Sequence, residues 1–279
     1  MLNKIVRFSL IFSLASAALA QEPVQPNPTT KTVEADSAQA TQDCQVTYSS
    51  GTFDFTATQF CVTVNGNIPQ FSITRNPLFA PAGNPADLEG YGFCDVSAGK
   101  FYFDYAAYDS GGWNASTLEQ NGNTVTVTRT TTDGNWQLTQ TIVNLPANAS
   151  TVGGAKVTMK LKNLSSVGRF ANLLRYAGVA AGVIGSDTYS ATENSASGQL
   201  QYGQGLMIIP NNTPTGYLAA FAYVQNIQSG PDPCTPYTNQ DPDLPFVGAG
   251  SIVAMWQTVK TTKIGPGGAV TVASTYRGF

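Results

Sequence analysis

Short runs of β-branched and aromatic residues, each ended by Gly, Asn or Pro, recur along the chain from Cys44 onward. TVTVTRTTT (124–132) and WQLTQTIVNL (136–145) flank an Asp-Gly pair (133–134), an arrangement that predicts a β-hairpin. AKVTMKLKNLS (155–165) alternates apolar residues with lysines, which is typical of an antiparallel strand with one solvated face. No long amphipathic helical pattern competes with these runs. The pattern therefore limits the chain to an antiparallel β architecture.

Further strand candidates share this composition and follow one another at short intervals: 44–49, 52–57, 60–65, 68–74, 90–96, 101–105, 172–177, 199–209, 217–224, 250–259 and 268–276. Residues 42–279 are long enough for a single domain. We predict an all-β fold, a large antiparallel two-sheet sandwich with few or no helices. A seam near 146–154 leaves two smaller domains as the alternative. No repeat of fixed period indicates a propeller or a solenoid.

Residues 1–20 have the pattern of a secretory signal peptide. A positively charged start is followed by the apolar run FSLIFSL, and Ala-Leu-Ala (18–20) fits the small-residue cleavage rule. The apolar run is shorter than the roughly 20 residues that cross a bilayer. We therefore expect cleavage after Ala20 and a secreted, periplasmic or cell-surface protein. Residues 21–41 contain three prolines and no aromatic residue, which predicts a flexible leader outside the fold.

Charge and composition exclude several classes of function. The chain has no histidine, so it has neither a Ser-His-Asp triad nor a histidine metal site. Charged residues make up 11% of the chain, its formal net charge is -3, and it has no run rich in Lys and Arg. That composition predicts no binding to nucleic acid or to an anionic membrane.

The four cysteines, Cys44, Cys61, Cys94 and Cys234, predict two disulfides in an exported chain. Sequence alone allows three pairings. We favour Cys44–Cys61, which closes a short loop across a hairpin, together with Cys94–Cys234. A zinc site is the rival interpretation, but the chain has no CxxC motif and no histidine.

Five stretches occur together in one order: FCVTVNGNIPQF (60–71), EGYGFCD (89–95), TRTTTDGNWQLTQTI (128–142), VTMKLKNLS (157–165) and LLRYAGV (173–179). In this the chain resembles a group of exported bacterial proteins of unassigned role that have a galactose-mutarotase-like β-supersandwich. The resemblance implies that fold and an association with carbohydrate. Mutarotases of that fold work with histidines and a glutamate, so the resemblance argues against that activity here. The acidic residues that follow the Arg-Tyr pair in the pattern are replaced by AGVAAG.

The segment Gly90–Trp113 is the densest in aromatic and acidic residues. Sugars bind by stacking on aromatic faces while carboxylates hydrogen-bond their hydroxyls, so this composition suits a glycan-binding surface. Alternation along 101–105 predicts that one set of side chains belongs to the core: Phe101, Phe103 and Tyr105. The remaining set is predicted to be exposed and to bind a ligand: Tyr102, Asp104, Tyr108, Asp109 and Trp113.

Catalytic and metal sites are weaker hypotheses. A glycosidase needs two facing carboxylates, and spacing selects no pair among Asp95, Asp104, Asp109, Glu119, Asp133, Asp187 and Glu193. A lyase abstracts a proton with a Tyr or Lys while a cation neutralises the acidic group of its substrate. Tyr176 and Arg175 are the candidates for these two roles, and we count both as candidate ligand-binding residues. In the Pro-rich loop 229–246, calcium is a candidate cofactor at Asp232, Asp241 and Asp243.

These observations rank three hypotheses for function. The first is an exported, non-catalytic binding protein for carbohydrate or another surface component. The second is a polysaccharide-processing enzyme, a lyase or a glycoside hydrolase, on the same fold. The third is a structural or adhesive surface protein.

Overall fold

The computed structural model describes most of the chain from residue 29 onward. The described residues are 29–33, 43–50, 58–73, 76–77, 89–106, 109–147, 151–179, 188–192, 194–199, 205–225, 231–237, 246–247, 250–259 and 261–279. Within these ranges the secondary structure is β-strand, and no helix is present. No helix there is long and apolar enough to cross a membrane.

The strands follow one another in chain order. They are β1 (Thr29–Val33), β2 (Cys44–Ser50), β3 (Thr58–Thr63), β4 (Gln70–Ile73), β5 (Asn76–Pro77), β6 (Glu89–Asp95), β7 (Lys100–Asp104), β8 (Ser116–Asn121), β9 (Thr124–Thr130), β10 (Trp136–Leu145), β11 (Gly154–Asn163), β12 (Ala171–Ala177), β13 (Thr188–Ala191), β14 (Ala196–Gln199), β15 (Gly205–Asn212), β16 (Tyr217–Gln225), β17 (Phe246–Val247), β18 (Gly250–Thr258) and β19 (Ala269–Gly278).

These strands form three antiparallel sheets. The large sheet has ten strands in the order β1-β8-β9-β10-β11-β19-β15-β14-β13-β17, the central sheet has five in the order β16-β18-β12-β6-β7, and the small sheet has four in the order β2-β3-β4-β5. The all-β antiparallel sandwich predicted from the sequence is confirmed. Its two-sheet description needs one correction, because the layer that faces the large sheet consists of two separate sheets.

Both smaller sheets contact the inner face of the large sheet. Trp136 of β10 meets Phe93 of β6 with ring centroids 5.6 Å apart, and the Tyr48 hydroxyl of β2 donates to Gly122 O at 3.2 Å. Side chains from all three sheets belong to one continuous apolar core.

The hairpin β9–β10 shows how the sequence produces these layers. Gly134, at its turn, has φ +69°, a conformation that glycine adopts without a side-chain penalty. Along β10, Leu138 and Ile142 point into the core while Thr139 and Thr141 face outward. This period-2 alternation places every second side chain on one face of the sheet, and it matches the prediction for 136–145.

Strand β1 lies within the segment predicted to be a flexible leader. It pairs antiparallel with β8, Thr29 opposite Gln120 and Val33 opposite Ser116, and forms an edge of the large sheet. The prediction that residues 21–41 lie outside the fold is therefore wrong over Thr29–Val33. An edge strand is stabilised by backbone hydrogen bonds, which composition does not reveal.

The disulfides pair as the sequence analysis favoured. Cys44–Cys61 joins β2 to β3, and Cys94–Cys234 joins β6 to the segment 231–237. Two disulfides are typical of an oxidising, extracellular environment. The proposed signal peptide lies outside the described residues.

The segment 231–237 covers part of the outer face of the central sheet. A second apolar cluster lies there, formed by Tyr105, Leu174, Tyr176, Val253 and Met255, with Tyr237 packed against it. The Tyr105 hydroxyl donates to Pro231 O, and the Gln257 side-chain amide donates to Tyr237 O. The Cys94–Cys234 disulfide thus keeps a Pro-rich segment on an apolar sheet face that would otherwise meet water.

At Gly90 of β6, the backbone at the end of β7 approaches very closely. A Cβ at this position would lie 2.7 Å from the Tyr105 Cα, closer than real Cβ contacts. We expect Gly90→Ala to lower the free energy of unfolding by about 1–3 kcal/mol, because backbone would have to move. Urea titration followed by tryptophan fluorescence measures this. Gly265→Ala is the matched control: its Cβ would meet nothing within 4 Å, so the change should stay within about 0.5 kcal/mol. Equal effects of the two substitutions would contradict the packing assigned to Gly90.

Candidate functional site

Strand β7 carries the first of the predicted ligand-binding residues, and its faces are the reverse of the prediction. Tyr102 is 4% exposed and Asp104 is fully buried, whereas Phe101 is 52% exposed. The prediction of exposure is therefore wrong for Tyr102 and Asp104, and the prediction of burial is wrong for Phe101. Tyr105, which was assigned to the core, is buried. Phe103 is partly buried against Tyr105.

Trp113 is also buried, contrary to the prediction. It is 8% exposed, and its indole N–H donates to Phe103 O at 3.2 Å. Its ring packs edge-on against Phe93, and the Arg129 guanidinium carbon lies 5.0 Å from the ring centroid. Trp113 therefore closes one end of the core. Tyr108 lies outside the described residues, so its role stays a prediction.

Asp104 and Asp109 come together through one arginine. Arg129 of β9 places Nη1 2.7 Å from Asp104 Oδ2 and Nη2 3.1 Å from Asp109 Oδ2. Asn65 Nδ2 donates to the same Asp104 oxygen at 2.9 Å, and the Ala106 N–H donates to Oδ1 at 3.0 Å. The two carboxylates thus flank a guanidinium and do not face each other across an open cleft.

Burial dominates the electrostatics of Asp104. It raises the pKa of this carboxyl to about 6, against the opposing attraction of Arg129. Asp109 is an exposed residue by comparison, and its Oδ1 accepts the Gly111 N–H at 2.7 Å. Asp109 therefore connects the buried pair to the surface.

Arg175 of β12 lies between the large and central sheets. It forms an ion pair with Glu89, and both side chains are fully buried. Its Nη1 donates to Gln140 Oε1 at 2.5 Å, and its Nε donates to the Tyr276 hydroxyl at 2.9 Å. That hydroxyl donates in turn to Glu89 Oε1 at 2.6 Å. Burial raises the pKa of Glu89, although Arg175 and Tyr276 oppose the shift.

Tyr176 points to the opposite side of β12 from Arg175. It is 1% exposed and belongs to the apolar cluster beneath segment 231–237. β12 is an interior strand of the central sheet, and its adjacent residues face opposite sides of that sheet, so Arg175 and Tyr176 cannot act on one substrate. The arrangement that the lyase hypothesis requires is absent from this pair, and both side chains are inaccessible to a ligand.

A buried turn joins the two polar clusters. Asn65 O accepts hydrogen bonds from the Tyr91 hydroxyl at 2.9 Å and from Gln140 Nε2 at 3.0 Å. Gly66 O accepts from Arg175, and Gly66 has φ +86°. The Asn-Gly pair signals this turn in the sequence. Its insertion between the sheets was missed, because no local signal shows which turn is buried.

The other carboxylates considered for catalysis have structural partners or lie apart. Asp95 is 1% exposed and accepts hydrogen bonds from Arg169 Nη1 at 2.5 Å and from the Trp136 indole at 3.0 Å. Glu119 is exposed on β8. Asp187 and Glu193 are outside the described residues. Asp104 and Asp109, the candidates that the structure brings together, are both bound by Arg129.

The calcium hypothesis rests on three aspartates, of which one is described. Asp232 Oδ1 accepts the Cys234 N–H at 2.8 Å and Oδ2 accepts the Thr235 hydroxyl at 3.0 Å, so its carboxylate caps the local turn. Asp241 and Asp243 lie outside the described residues. No group of metal-binding side chains occurs among the residues that the structure describes, and the calcium site stays a prediction.

An open groove lies at β7, the edge strand of the central sheet, where residues from both faces of the strand, the exposed Phe101 among them, line one site. Its volume is about 350 Å³, and its lining residues come from the β6–β7 turn, β7, the loop after it and the β9–β10 turn: Gly99, Lys100, Phe101, Tyr102, Ser110, Gly112, Thr132 and Asp133. From the sequence, Asp133 was considered as a turn residue and among the candidate carboxylates, and the groove was not predicted. The signal available was the Lys-Phe-Tyr run on an edge strand.

Asp133 organises the polar side of this groove. Its Oδ2 accepts the Tyr102 hydroxyl at 2.7 Å and lies 3.5 Å from Lys100 Nζ. Its Oδ1 accepts the Thr131 hydroxyl at 2.6 Å. Burial opposes ionisation, but the hydrogen bonds from Thr131, Tyr102 and Asn135 outweigh it and hold the pKa of Asp133 below its usual value. The groove thus presents a fixed carboxylate, an ammonium group and an aromatic ring.

Comparison with known proteins gives likenesses in fold. No family model matches the chain, and no curated protein matches its sequence. Among solved structures, it is similar to a protein from Escherichia coli K12 provisionally described as an aldose 1-epimerase, with a TM-score of 0.48, 12% identity, and coverage of 84% of this chain and 99% of that one.

Two larger proteins are also similar in part. A bacterial glucoamylase complexed with acarbose gives a TM-score of 0.49 and 11% identity, covering 90% of this chain and 36% of its own. A protein from the human microbiome provisionally described as a kojibiose phosphorylase gives a TM-score of 0.36 and 7% identity. That match covers 90% of this chain and 25% of the other. This chain therefore spans about a third or less of either protein. At such identities and TM-scores these comparisons assign no activity and no site.

The pKa of Asp104 makes stability depend on pH. The folded value is about 6 and the ordinary value is 3.8, so the folded state holds this proton more tightly. The stabilisation is complete below pH 3.8 and is lost as the pH rises through 6. We expect wild-type protein to lose about 3 kcal/mol relative to Asp104→Asn between those limits. Urea titrations of both proteins across this range measure the difference, and a constant difference would contradict the shift.

The Glu89–Arg175 pair gives a second stability prediction. Glu89→Ala leaves a buried guanidinium without its counter-ion, and we expect a loss of about 3–5 kcal/mol in the free energy of unfolding. Lys100→Ala breaks an exposed pair with Asp133 and should cost about 1 kcal/mol or less. Thermal and urea unfolding of the two variants give the comparison. If Glu89→Ala cost no more than Lys100→Ala, the pair would not be structural.

Proposed function

We propose that this protein is an exported, non-catalytic carbohydrate-binding protein whose groove at Lys100, Phe101, Tyr102 and Asp133 binds a neutral sugar ring. The observation that carries the proposal is the exposed Phe101 ring beside a polar groove of about 350 Å³. Export is supported by the N-terminal pattern and by the two disulfides.

The chemistry of the groove suits a sugar. The C–H faces of a pyranose are apolar and stack on an aromatic ring, and Phe101 offers such a ring held by stacking on Phe103 at 5.8 Å. Asp133 accepts hydrogen bonds from sugar hydroxyls, and Lys100 Nζ donates them. The two charges are 3.5 Å apart and offset each other, which favours a neutral ligand.

Binding without catalysis is the simpler use of this site. Acid–base work on a glycoside requires two carboxylates at suitable separation, and Asp133 is the only carboxylate that lines the groove among the described residues. Its pKa is held below the usual value, so it stays ionised and is a poor proton donor at neutral pH.

Phe101→Ala tests the groove. We expect this substitution to weaken binding of a neutral polysaccharide by about tenfold or more, because the stacking surface is removed. Leu218→Ala is the matched control, since Leu218 is 65% exposed on β16 and does not line the groove. The measurement is affinity electrophoresis of the purified chain against a panel of soluble neutral polysaccharides.

Retardation of wild-type protein and of Leu218→Ala, but not of Phe101→Ala, is the supporting result. Absence of retardation by every neutral polymer would overturn the proposal. Equal retardation of all three proteins would overturn the assignment to the groove. Release of reducing ends from a retarding polymer would overturn the non-catalytic assignment.

A further inference from the structure

The outer face of the large sheet carries a regular array of hydroxyl and ammonium groups. We define the lysine face as the outward side chains of β9, β10 and β11: Thr124, Thr126, Thr128, Thr130, Gln137, Thr139, Thr141, Val143, Leu145, Lys156, Thr158, Lys160 and Lys162. Along each strand these residues alternate with buried ones, so they share the side of the sheet away from the core. The groove at Phe101 does not include them.

Strand register aligns these side chains into rows. Thr128 lies opposite Thr139, and Thr139 lies opposite Lys160. The hydroxyls of Thr128 and Thr139 are 3.3 Å apart, within hydrogen-bonding distance across the strands. Neighbouring strands are about 4.8 Å apart, so each row spaces its polar groups closely and evenly.

The positive charges of this face form a line along β11. Lys156 and Lys160 are exposed and Lys162 is partly exposed, and the strand rise separates them by about 13 Å and 7 Å. The ion pairs among the described residues involve Lys100, Arg129, Arg169 and Arg175, so none neutralises these three lysines. The acidic residue nearest in the sheet order is Glu119 on β8, three strands away.

We propose that the lysine face binds an anionic polysaccharide, a glycan chain whose sugar rings carry carboxylates. The lysine line supplies charge complementary to a linear polymer with repeated anions, and several contacts along one chain raise the effective concentration of the next. The flanking threonines supply donors and acceptors for sugar hydroxyls. A neutral sugar would gain no attraction from the lysine charges, so this partner differs from that of the groove.

The same face suits nucleic acid less well. Proteins that bind single strands stack bases on aromatic side chains, and the described residues of the lysine face include no aromatic residue. The lysine face is part of a sheet within the sandwich, and no helix occurs among the described residues to enter a duplex groove from it.

The test compares three proteins against matched polymers. We expect wild-type protein to bind polygalacturonate in isothermal titration calorimetry and to bind its fully methyl-esterified form at least about tenfold more weakly, since esterification removes the charge and keeps the backbone. The triple variant Lys156→Gln, Lys160→Gln, Lys162→Gln should lose polygalacturonate binding by a similar factor. The triple Lys→Arg variant at the same positions should retain it.

Several results would overturn this proposal. They are equal binding of the two polymers by wild-type protein, unchanged binding by the Gln variant, loss of binding by the Arg variant, and equal or tighter binding of single- or double-stranded DNA. Thermal unfolding is the control for folding. Equal unfolding temperatures of wild-type protein and the Gln variant establish that a loss of polygalacturonate binding does not come from unfolding. If the Gln variant unfolds early, loss of wild-type binding on raising the salt concentration from 0.05 to about 0.5 M supports the proposal and persistence overturns it.

The experiments can contradict the groove proposal and the lysine-face proposal independently of each other. The Gln variant should still be retarded by any neutral polysaccharide that binds the groove, because its three substitutions lie on a different face of the fold. Loss of neutral binding in Phe101→Ala with intact polygalacturonate binding would support both assignments. Failure of the groove experiment alone leaves the lysine face tested on its own measurement.

Discussion

The buried ion pair between Glu89 and Arg175 is the constraint on which the packing of the layers depends. Two charges without solvent must be paired and hydrogen-bonded, and here the partners come from β6, β10, β12 and β19. The Ile68 N–H also donates to Glu89 Oε2 at 2.5 Å, so the turn after β3 is held in the same cluster. A shift of either sheet by one residue would leave a buried charge unpaired. The pair therefore specifies one register between the layers.

This use of polar groups decides where a ligand can bind. Asp104 and Arg175 look like site residues in the sequence, yet the structure uses their hydrogen-bonding capacity inside the sandwich. Part of the outer face of the central sheet is covered by segment 231–237. Accessible polar groups that are not used inside the sandwich include those at the edge strand β7 and those on the outside of the large sheet. Both proposed surfaces follow from that distribution.

Elements with a strong local signal were predictable, and the partners of individual side chains were not. Strand β10 was predicted over its observed bounds because alternation and an Asp-Gly turn agree there. On β7 the same reasoning assigned the faces wrongly, since Phe101 is apolar and exposed while Asp104 is charged and buried. Burial of Asp104 depends on Arg129 and Asn65, which are distant in sequence. Strand β1 was missed because its stability comes from pairing with β8.

Because the chain has few charged residues, three lysines on one face are a notable concentration of positive charge. The whole chain has 14 Lys and Arg, and Arg129, Arg169 and Arg175 are each held by a carboxylate. Three of the remaining cations stand in line on one strand, with threonines on the strands beside them. An ion-paired network of scattered surface charges would present no net field, whereas this line presents one sign on a flat surface. With these three arginines held by carboxylates, the lysines of β11 remain available to the anionic partner proposed above, and the alternation of β11 places them on one side of the sheet.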